Sequence, residues 1–368
     1  MRGSPSVRLR GSDIFRYAES SIRRLLPMKR VFVTGAPGWL GNRLVRGLSE
    51  GIADVPGLPV AEQIQCLVLP GMDTTELRAF PRVALVAGDV TKPETLRGVL
   101  AGCDTVIHAV GLIHPKRIRD LYLVNTEGVR NVLGEAIRSG VRRMVLVSSN
   151  SPAGINRSRN LPFTEESPYH PYLHYGRSKM LAEEIMREAR DAGRIESVII
   201  RPCWFYGPGQ PQRQSEFFRM IQSGRPPLFG TGMNLRSMSY IDHVVQGCVL
   251  AATVDCAAGQ TYWIADAQPY TTLEIYETIA GLLEVPKLRP IRIPSIGAAA
   301  CRVADTLFQA CGIYHQKLHV AGEMDRDIAC TVERAQRELG YRPLVTLREG
   351  MQRSLDWCRT QGREIPAR

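Results

Sequence analysis

Apolar runs alternate with amphipathic stretches over the first two hundred residues. The runs at 30–34, 64–69, 83–87, 105–108, 144–148 and 197–201 read as strands, the first of them buried and the third ending in Gly88-Asp89-Val90. Between them, 39–50, 93–100, 121–139 and 175–192 read as helices, the third closed by Gly140 at its C′ position. Strands alternating with helices over about 170 residues predict an α/β fold, a doubly wound parallel Rossmann sheet. After Arg201 the alternation fails. Pro, Gly and Gln crowd 202–214, and shorter pieces follow at 215–223, 238–241, 260–264 and 272–283, with two C-terminal helices. These predict a smaller α/β substrate lobe, partly interwoven with the first. The expected organisation is a basic leader over 1–28, a dinucleotide-binding domain over 29–201 and a substrate-binding lobe over 202–368. Ligands of such sheets bind beyond the carboxyl ends of the strands, which places the cleft between the lobes.

The chain has 368 residues, 44% of them hydrophobic, enough for one large domain and a smaller one. No apolar run reaches the ~18 residues of a membrane span. The best candidate, 296–314, is interrupted by Arg302, Asp305 and Gln309. Nine cysteines without C-x-x-C spacing fit a reduced, cytoplasmic setting, and with seven dispersed histidines they argue against a structural metal site. Of the net +11, residues 1–30 supply +6, from seven Arg and one Lys against Asp13 and Glu19. The body is nearly balanced, which argues against nucleic-acid binding. In the leader, Ile14, Phe15, Ala18, Ile22, Leu25 and Leu26 are spaced for one helical face, which suits a peripheral membrane contact or a targeting peptide. Met28, two residues before the first strand, is an alternative start that would leave the leader poorly ordered.

Two motifs carry chemistry. Thr34-Gly-Ala-Pro-Gly-Trp-Leu-Gly41 follows a strand and opens a helix. Gly35, Gly38 and Gly41 are placed for the tight turn, the backbone approach to a pyrophosphate and the packing of helix on sheet. Ala36, Pro37, Trp39 and Leu40 complete the loop, whose helix N-terminus attracts phosphate. Leu69 occupies the strand-end position that would read the adenosine ribose. It is neither acid nor arginine, so NAD and NADP both stay open, with Asp73, Arg78 and Arg82 nearby. Asp89 is placed for the adenine amino group, with Val90 packing beside it. The second motif, Tyr175-Gly-Arg-Ser-Lys179, sets Tyr175 and Lys179 on one helix face. A nearby ammonium lowers a phenol's pKa, making Tyr175 a general acid or base, and Lys179 could also hold the nicotinamide ribose. Ser149, just past the fifth strand, is placed to hydrogen-bond the reacting oxygen.

With these motifs in this order, the chain resembles the extended short-chain dehydrogenase/reductase superfamily over about residues 29–355. Further matching segments are Gly88-Asp-Val90, His108-Ala-Val-Gly111, Val124-Asn-Thr-Glu-Gly128, Val147-Ser-Ser149, Arg201-Pro-Cys-Trp-Phe-Tyr-Gly-Pro208, Ser239-Tyr-Ile-Asp-His243 and Glu338-Leu-Gly-Tyr-Arg-Pro343. The resemblance implies a Ser149–Tyr175–Lys179 triad, with Ser148 a strand-end neighbour that could share the serine's role. It also implies that Ala109, Val110, Gly111, Asn125, Pro202 and Cys203 belong to the cofactor site. Homodimers through helices 121–139 and 175–192 are a further expectation.

Within the superfamily, sugar dehydratases carry an Asp-Glu pair after the catalytic Thr; here Asn150 and Ser151 stand there, and neither can serve as a carboxylate. Cys203-Trp204-Phe205 replaces an Asn common in nucleotide-sugar epimerases, and suits an apolar or flat substrate, although both aromatics could equally pack between the lobes. Arg213 and Arg236 could hold a diphosphate or simply face solvent. Ser151, Trp204, Phe205, Arg213 and Arg236 are thus the candidate substrate contacts. The expected function is hydride transfer at a secondary alcohol or ketone of a hydrophobic or ring-bearing small molecule, in the style of the 3β-hydroxysteroid dehydrogenase and dihydroflavonol reductase branch. A nucleotide-sugar epimerase retaining NAD is the alternative, and a silent cofactor-binding regulator a third.

Overall fold

The computed structural model describes residues 24–362. The first half follows the alternation: β1 (Arg30–Thr34), α1 (Trp39–Glu50), β2 (Gln63–Val68), α2 (Thr75–Arg78), β3 (Val83–Ala87), β4 (Thr105–His108), α3 (Ile118–Tyr122), α4 (Gly128–Arg138), β5 (Arg143–Val147), α5 (Leu173–Asp191) and β6 (Glu196–Pro202). Two expectations need correction. The helix at 93–100 is a single 3-10 turn, Pro93–Leu96; Gly98, at φ +74°, ends it, and its N–H is held by the Glu135 carboxylate. The helix at 121–139 starts earlier and is widened by a π turn, Leu123–Glu127, between α3 and α4. Gly140 closes it at φ +70°, a conformation that favours glycine.

Beyond β6 come β7 (Trp204–Tyr206), α6 (Gln212–Gln222), β8 (Pro227–Phe229), β9 (Leu235–Arg236), β10 (Met238–Tyr240), α7 (Ile241–Thr253), β11 (Thr261–Ile264), β12 (Tyr270–Thr271), α8 (Thr272–Leu282), β13 (Ile291–Ile293), α9 (Ser295–Ala310), α10 (Gln316–Glu323) and α11 (Leu347–Thr360). The main sheet has the parallel order β3-β2-β1-β4-β5-β6-β11, so a strand from the second half completes the first layer. Helix α7 also belongs to that layer. All its residues are buried, between α1 and the sheet. Asp242 in its first turn forms a bidentate pair with Arg43 of α1. At its other end the fully buried Arg143 donates to the carbonyls of Ala251, Val254 and Asp255, which a helix terminus would otherwise leave unsatisfied. The same end receives the start of the described chain. Leu25 bridges Val254, and Leu26 N–H donates to Thr253 O at 2.7 Å. Leu25 and Leu26 therefore belong to the fold and not to a leader helix; residues 1–23 lie outside the described residues.

In the second lobe Asp266 gathers three donors: Tyr240 N–H at 3.0 Å, Tyr206 Oη at 2.7 Å and His243 Nδ1 at 2.9 Å. His243 Nε2 accepts from Val345 N–H, so the proton sits on Nδ1. The Ser239–His243 segment is thus scaffold, tied to the first half of the chain by the Asp242–Arg43 pair.

Candidate functional site

The glycine loop is built by close backbone approach. A Cβ on Gly35, whose φ is +92°, would lie 2.7 Å from the Ala109 carbonyl carbon; one on Gly41 would lie within 2.6 Å of the Gly35–Ala36 backbone. The loop is therefore pressed against the end of β4, and α1 starts close beneath it. Helix α1 has no side-chain cap and no acid in its first turn. Its first turn offers backbone N–H groups without a competing carboxylate, which fits a dinucleotide pyrophosphate. Trp39 leaves the loop sideways: Nε1 donates to Pro208 O at 2.7 Å, and its ring meets Phe205 edge-on at 6.1 Å. Leu69 lies 49% exposed just past β2. Of the basic neighbours, Arg78 Nε donates to Thr74 Oγ1 and Arg82 to Ala61 O. Asp89 Oδ1 holds the N–H and hydroxyl of Thr91, and Val90 is buried against Gly128.

The loop after β4 forms the next wall. Gly111 lies beside Lys179, whose Nζ would be in ordinary contact, at 3.6 Å, with a Cβ there. Asn125, expected to line the cofactor, sits one layer behind. Fully buried in the π turn, it accepts from Leu112 N–H at 2.8 Å and donates to Leu112 O and Ser178 Oγ, so it positions the Ala109–Val110–Gly111 strip. His108 is also fully buried, with Nδ1 3.0 Å from Thr34 Oγ1. Burial, reinforced by Lys179, lowers its pKa to about 3 and keeps it neutral. Pro202 and Cys203 are buried at the end of β6, with Pro202 O accepting from Asn150 N–H and Cys203 N–H donating to Ser239 Oγ.

Helix α5 brings Tyr175 and Lys179 to the end of β5. It can do so because residue 176 is glycine: a Cβ there would stand 2.5 Å from Ser151 O. Ser149 faces Tyr175 and lowers its pKa, and Ser149 Oγ is 3.2 Å from Ser151 Oγ. Ser148 points the other way, donating to the buried Glu183 at 2.5 Å, so it does not share the serine's position. Lys179 is 3% exposed and donates to Val147 O at 2.9 Å. Burial lowers its pKa to about 8 against the pull of Glu183. One expectation is reversed. Lys179 was expected to draw the Tyr175 pKa down, yet burial raises it; Ser149 opposes the rise and Glu323 adds to it. With the Lys179 ammonium engaged by Val147 O, Tyr175 stays a phenol at neutral pH.

The substrate candidates divide. Trp204 packs on Phe217 at 5.6 Å within the second half of the chain, whereas Phe205 meets Trp39 of α1 across the two halves. Arg213 is exposed and lies near Tyr314 and His114. Arg236, whose expected alternatives were a diphosphate contact or solvent exposure, is 7% exposed and donates to Glu323 O inside the lobe. Several residues around Tyr175 were not anticipated. Helices α9 and α10 form a cap over the start of α5, where His319 Nδ1 lies 2.8 Å from Asp305 and Gln309 Nε2 donates to the same carboxylate. Tyr172 stacks near His319 at 5.0 Å, His114 Nδ1 lies 3.0 Å from Tyr314 Oη, and burial raises the pKa of Glu323. The available signal was the trio of polar residues interrupting the apolar run 296–314. Among the described residues no cluster of His, Cys, Asp or Glu could hold a metal ion.

The profile of the NAD dependent epimerase/dehydratase family matches residues 31–265. Uncharacterized protein y4nL of Sinorhizobium fredii is 44% identical over 344 residues, covering 91% of this chain and 96% of its own. The 2-alkyl-3-oxoalkanoate reductase of Shewanella oneidensis is 26% identical, covering 89% and 85%. Among solved structures, the dTDP-glucose 4,6-dehydratase DesIV of Streptomyces venezuelae, with NAD and TYD bound, superposes with a TM-score of 0.71 at 26% identity, covering 92% of this chain and all of that one.

Proposed function

The chain belongs to the NAD dependent epimerase/dehydratase family, and from that premise we propose that it is an NAD-dependent reductase of a ketone on a hydrophobic or ring-bearing small molecule. The observation that carries the reading is the Ser149–Tyr175 pair: a phenol kept protonated by burial, beside a serine hydroxyl, with no carboxylate at Asn150 or Ser151. Such a pair donates a proton to a carbonyl oxygen, whereas elimination of water would call for carboxylate acid–base chemistry. The bound dinucleotide supplies the hydride. Tyr175 Oη gives its proton to the substrate oxygen, Ser149 Oγ holds that oxygen in place, and Lys179, held by Val147 O, keeps its ammonium beside the Ala109–Gly111 strip where the dinucleotide would lie. Two features favour NAD over NADP: the family is NAD dependent, and Arg78 and Arg82 are engaged elsewhere. The burial of Arg236 in the lobe weakens a diphosphate-binding reading.

The test is to identify any co-purifying dinucleotide by mass spectrometry, then to supply reduced NAD or NADP with apolar ketones and with nucleotide sugars. Consumption of reduced NAD with an apolar ketone supports the proposal. A retained NAD that interconverts a nucleotide sugar without net redox change overturns it in favour of an epimerase.

The two serines should separate in the same assay. Ser149→Ala is expected to lower turnover about 10²–10³-fold. Ser148→Ala should leave turnover near wild type while costing about 1–3 kcal/mol in denaturant unfolding, through the lost bond to buried Glu183. The opposite pattern would reassign the serine.

A further inference from the structure

Helix α9 is inside out. Its inward face carries Ala298, Asp305 and Gln309, none more than 3% exposed. Two residues before each stand Ile296, Val303 and Leu307, at 77%, 61% and 63% exposure. A two-residue offset turns a helix by about 200°, so these aliphatic side chains lie diametrically opposite the buried ones. Asp305 and Gln309 are occupied by the His319 network, and Arg302 donates to Gly322 O and Asp325. The polar residues that break the apolar run thus face the protein, and the apolar residues face outward. Phe308, Ile313 and Val320, at 42%, 51% and 42% exposure, add to the apolar exposure of the cap.

The charge exposed along the segment that builds this surface has one sign. From Val285 to Gly322 the only acid is Asp305, which is buried, whereas Arg289, Arg292 and Lys317 are exposed. Exposed aliphatic residues with a basic rim fit the interface of an anionic bilayer, where aliphatic side chains enter the acyl boundary and cations meet lipid phosphates. A second copy of the chain fits less well, since a two-fold contact would set each basic rim against itself. No helix among the described residues is long and apolar enough to cross a membrane, so the contact would lie in the plane of the surface.

We propose that the α9–α10 cap docks the protein on an anionic lipid surface through Ile296, Val303 and Leu307, with the cleft behind it. The cap's inner face meets Tyr172 at the start of the helix that carries Tyr175. The docked surface therefore lies about one helix diameter from the cleft, a short path for a substrate that partitions into lipid. The docking does not depend on which reaction the cleft performs.

The test is co-sedimentation of the full chain with vesicles of phosphatidylcholine alone or mixed with phosphatidylglycerol. The wild type is expected to sediment with the mixed vesicles. Val303→Glu with Leu307→Glu should lower the partition coefficient about tenfold or more, at unchanged circular dichroism and melting. Arg292→Glu with Lys317→Glu should weaken binding to the mixed vesicles alone. Failure of the wild type to bind overturns the proposal. So does a Val303→Glu/Leu307→Glu variant that binds as wild type does, because binding would then come from the N-terminal residues. A wild-type dimer that the same variant splits, without vesicle binding, would assign the face to a second copy.

Discussion

Tyr175→Phe is expected to lower turnover about 10²–10⁴-fold while leaving dinucleotide binding nearly unchanged. The change removes one oxygen. That oxygen faces Ser149, and the glycine loop, the Ala109–Gly111 strip and Lys179 keep their contacts. Binding is followed by quenching of protein fluorescence on titration with NAD, and turnover by loss of the reduced dinucleotide. A variant that turns over as fast as wild type would remove Tyr175 from the proton path. Loss of both binding and turnover would show a structural role instead. The wild-type pH profile tests the same assignment from another side. Burial keeps Tyr175 protonated at neutral pH, and Lys179, lowered to about 8, is charged below that value. Ketone reduction should therefore be level below about pH 7 and fall as pH rises through about 8, when the ammonium beside the cofactor strip at Gly111 is lost. A rate that climbs through this range would mean that Tyr175 must first lose its proton, and would favour the oxidative direction.

The parts of the site that follow from backbone demands are legible in the chain. Gly35 and Gly41 stand where no Cβ fits, and glycine spacing after a strand expresses that requirement directly. The Tyr175–Lys179 spacing likewise fixes a shared helix face. What escapes is whatever depends on a partner distant in the chain. The choice between Ser148 and Ser149 rested on spacing, and the structure gives its physical cause: Glu183, 35 residues later, binds Ser148. Arg236 offers no sign in its neighbours that it will donate to Glu323 O. Helix α7 is buried all round, so no amphipathic period marks it. The α9–α10 cap was hidden for the opposite reason. Its pattern is amphipathic, but with the polar side inward, and an apolar stripe is ordinarily read as the face toward the core. Lys179 shows a limit of a different kind. Its nearness to Tyr175 was legible, whereas its bond to Val147 O, which leaves burial to set the phenol's pKa, was not.

Glu183→Gln should destabilise the fold by about 3–5 kcal/mol, because it strips the partner from a charge that cannot reach water. Glu183 and Arg201 are 0% and 1% exposed. The carboxylate accepts from Arg201 Nη2 at 2.6 Å, Arg201 Nε at 3.0 Å, Tyr169 Oη at 2.8 Å and Ser148 Oγ at 2.5 Å. Arg201 in turn lies over the rings of Tyr169 and Trp263, both at 5.5 Å. Burial alone would raise the Glu183 pKa; the guanidinium and the hydrogen bonds outweigh it, and the pKa lies below the ordinary glutamate value. The sign of the linkage follows. With a depressed folded value, the contribution is full above the unfolded pKa of about 4.3 and is lost as pH falls through the folded value. Denaturant unfolding of the wild type should therefore lose stability on acidification below about pH 4, and Glu183→Gln should lose less over the same range. Replacing both partners, as in Glu183→Leu with Arg201→Met, should cost less than the two single changes summed, since no buried charge is then left unpaired. Additive losses would show that the pair is not coupled. Ser148 precedes Ser149, and Glu183 lies one helical turn beyond Lys179, so the pair braces the back of the strand end and helix that carry the candidate triad. A fold weakened here should also lose turnover in proportion to the misplacement of Tyr175, which the Gln variant reports below its own melting temperature.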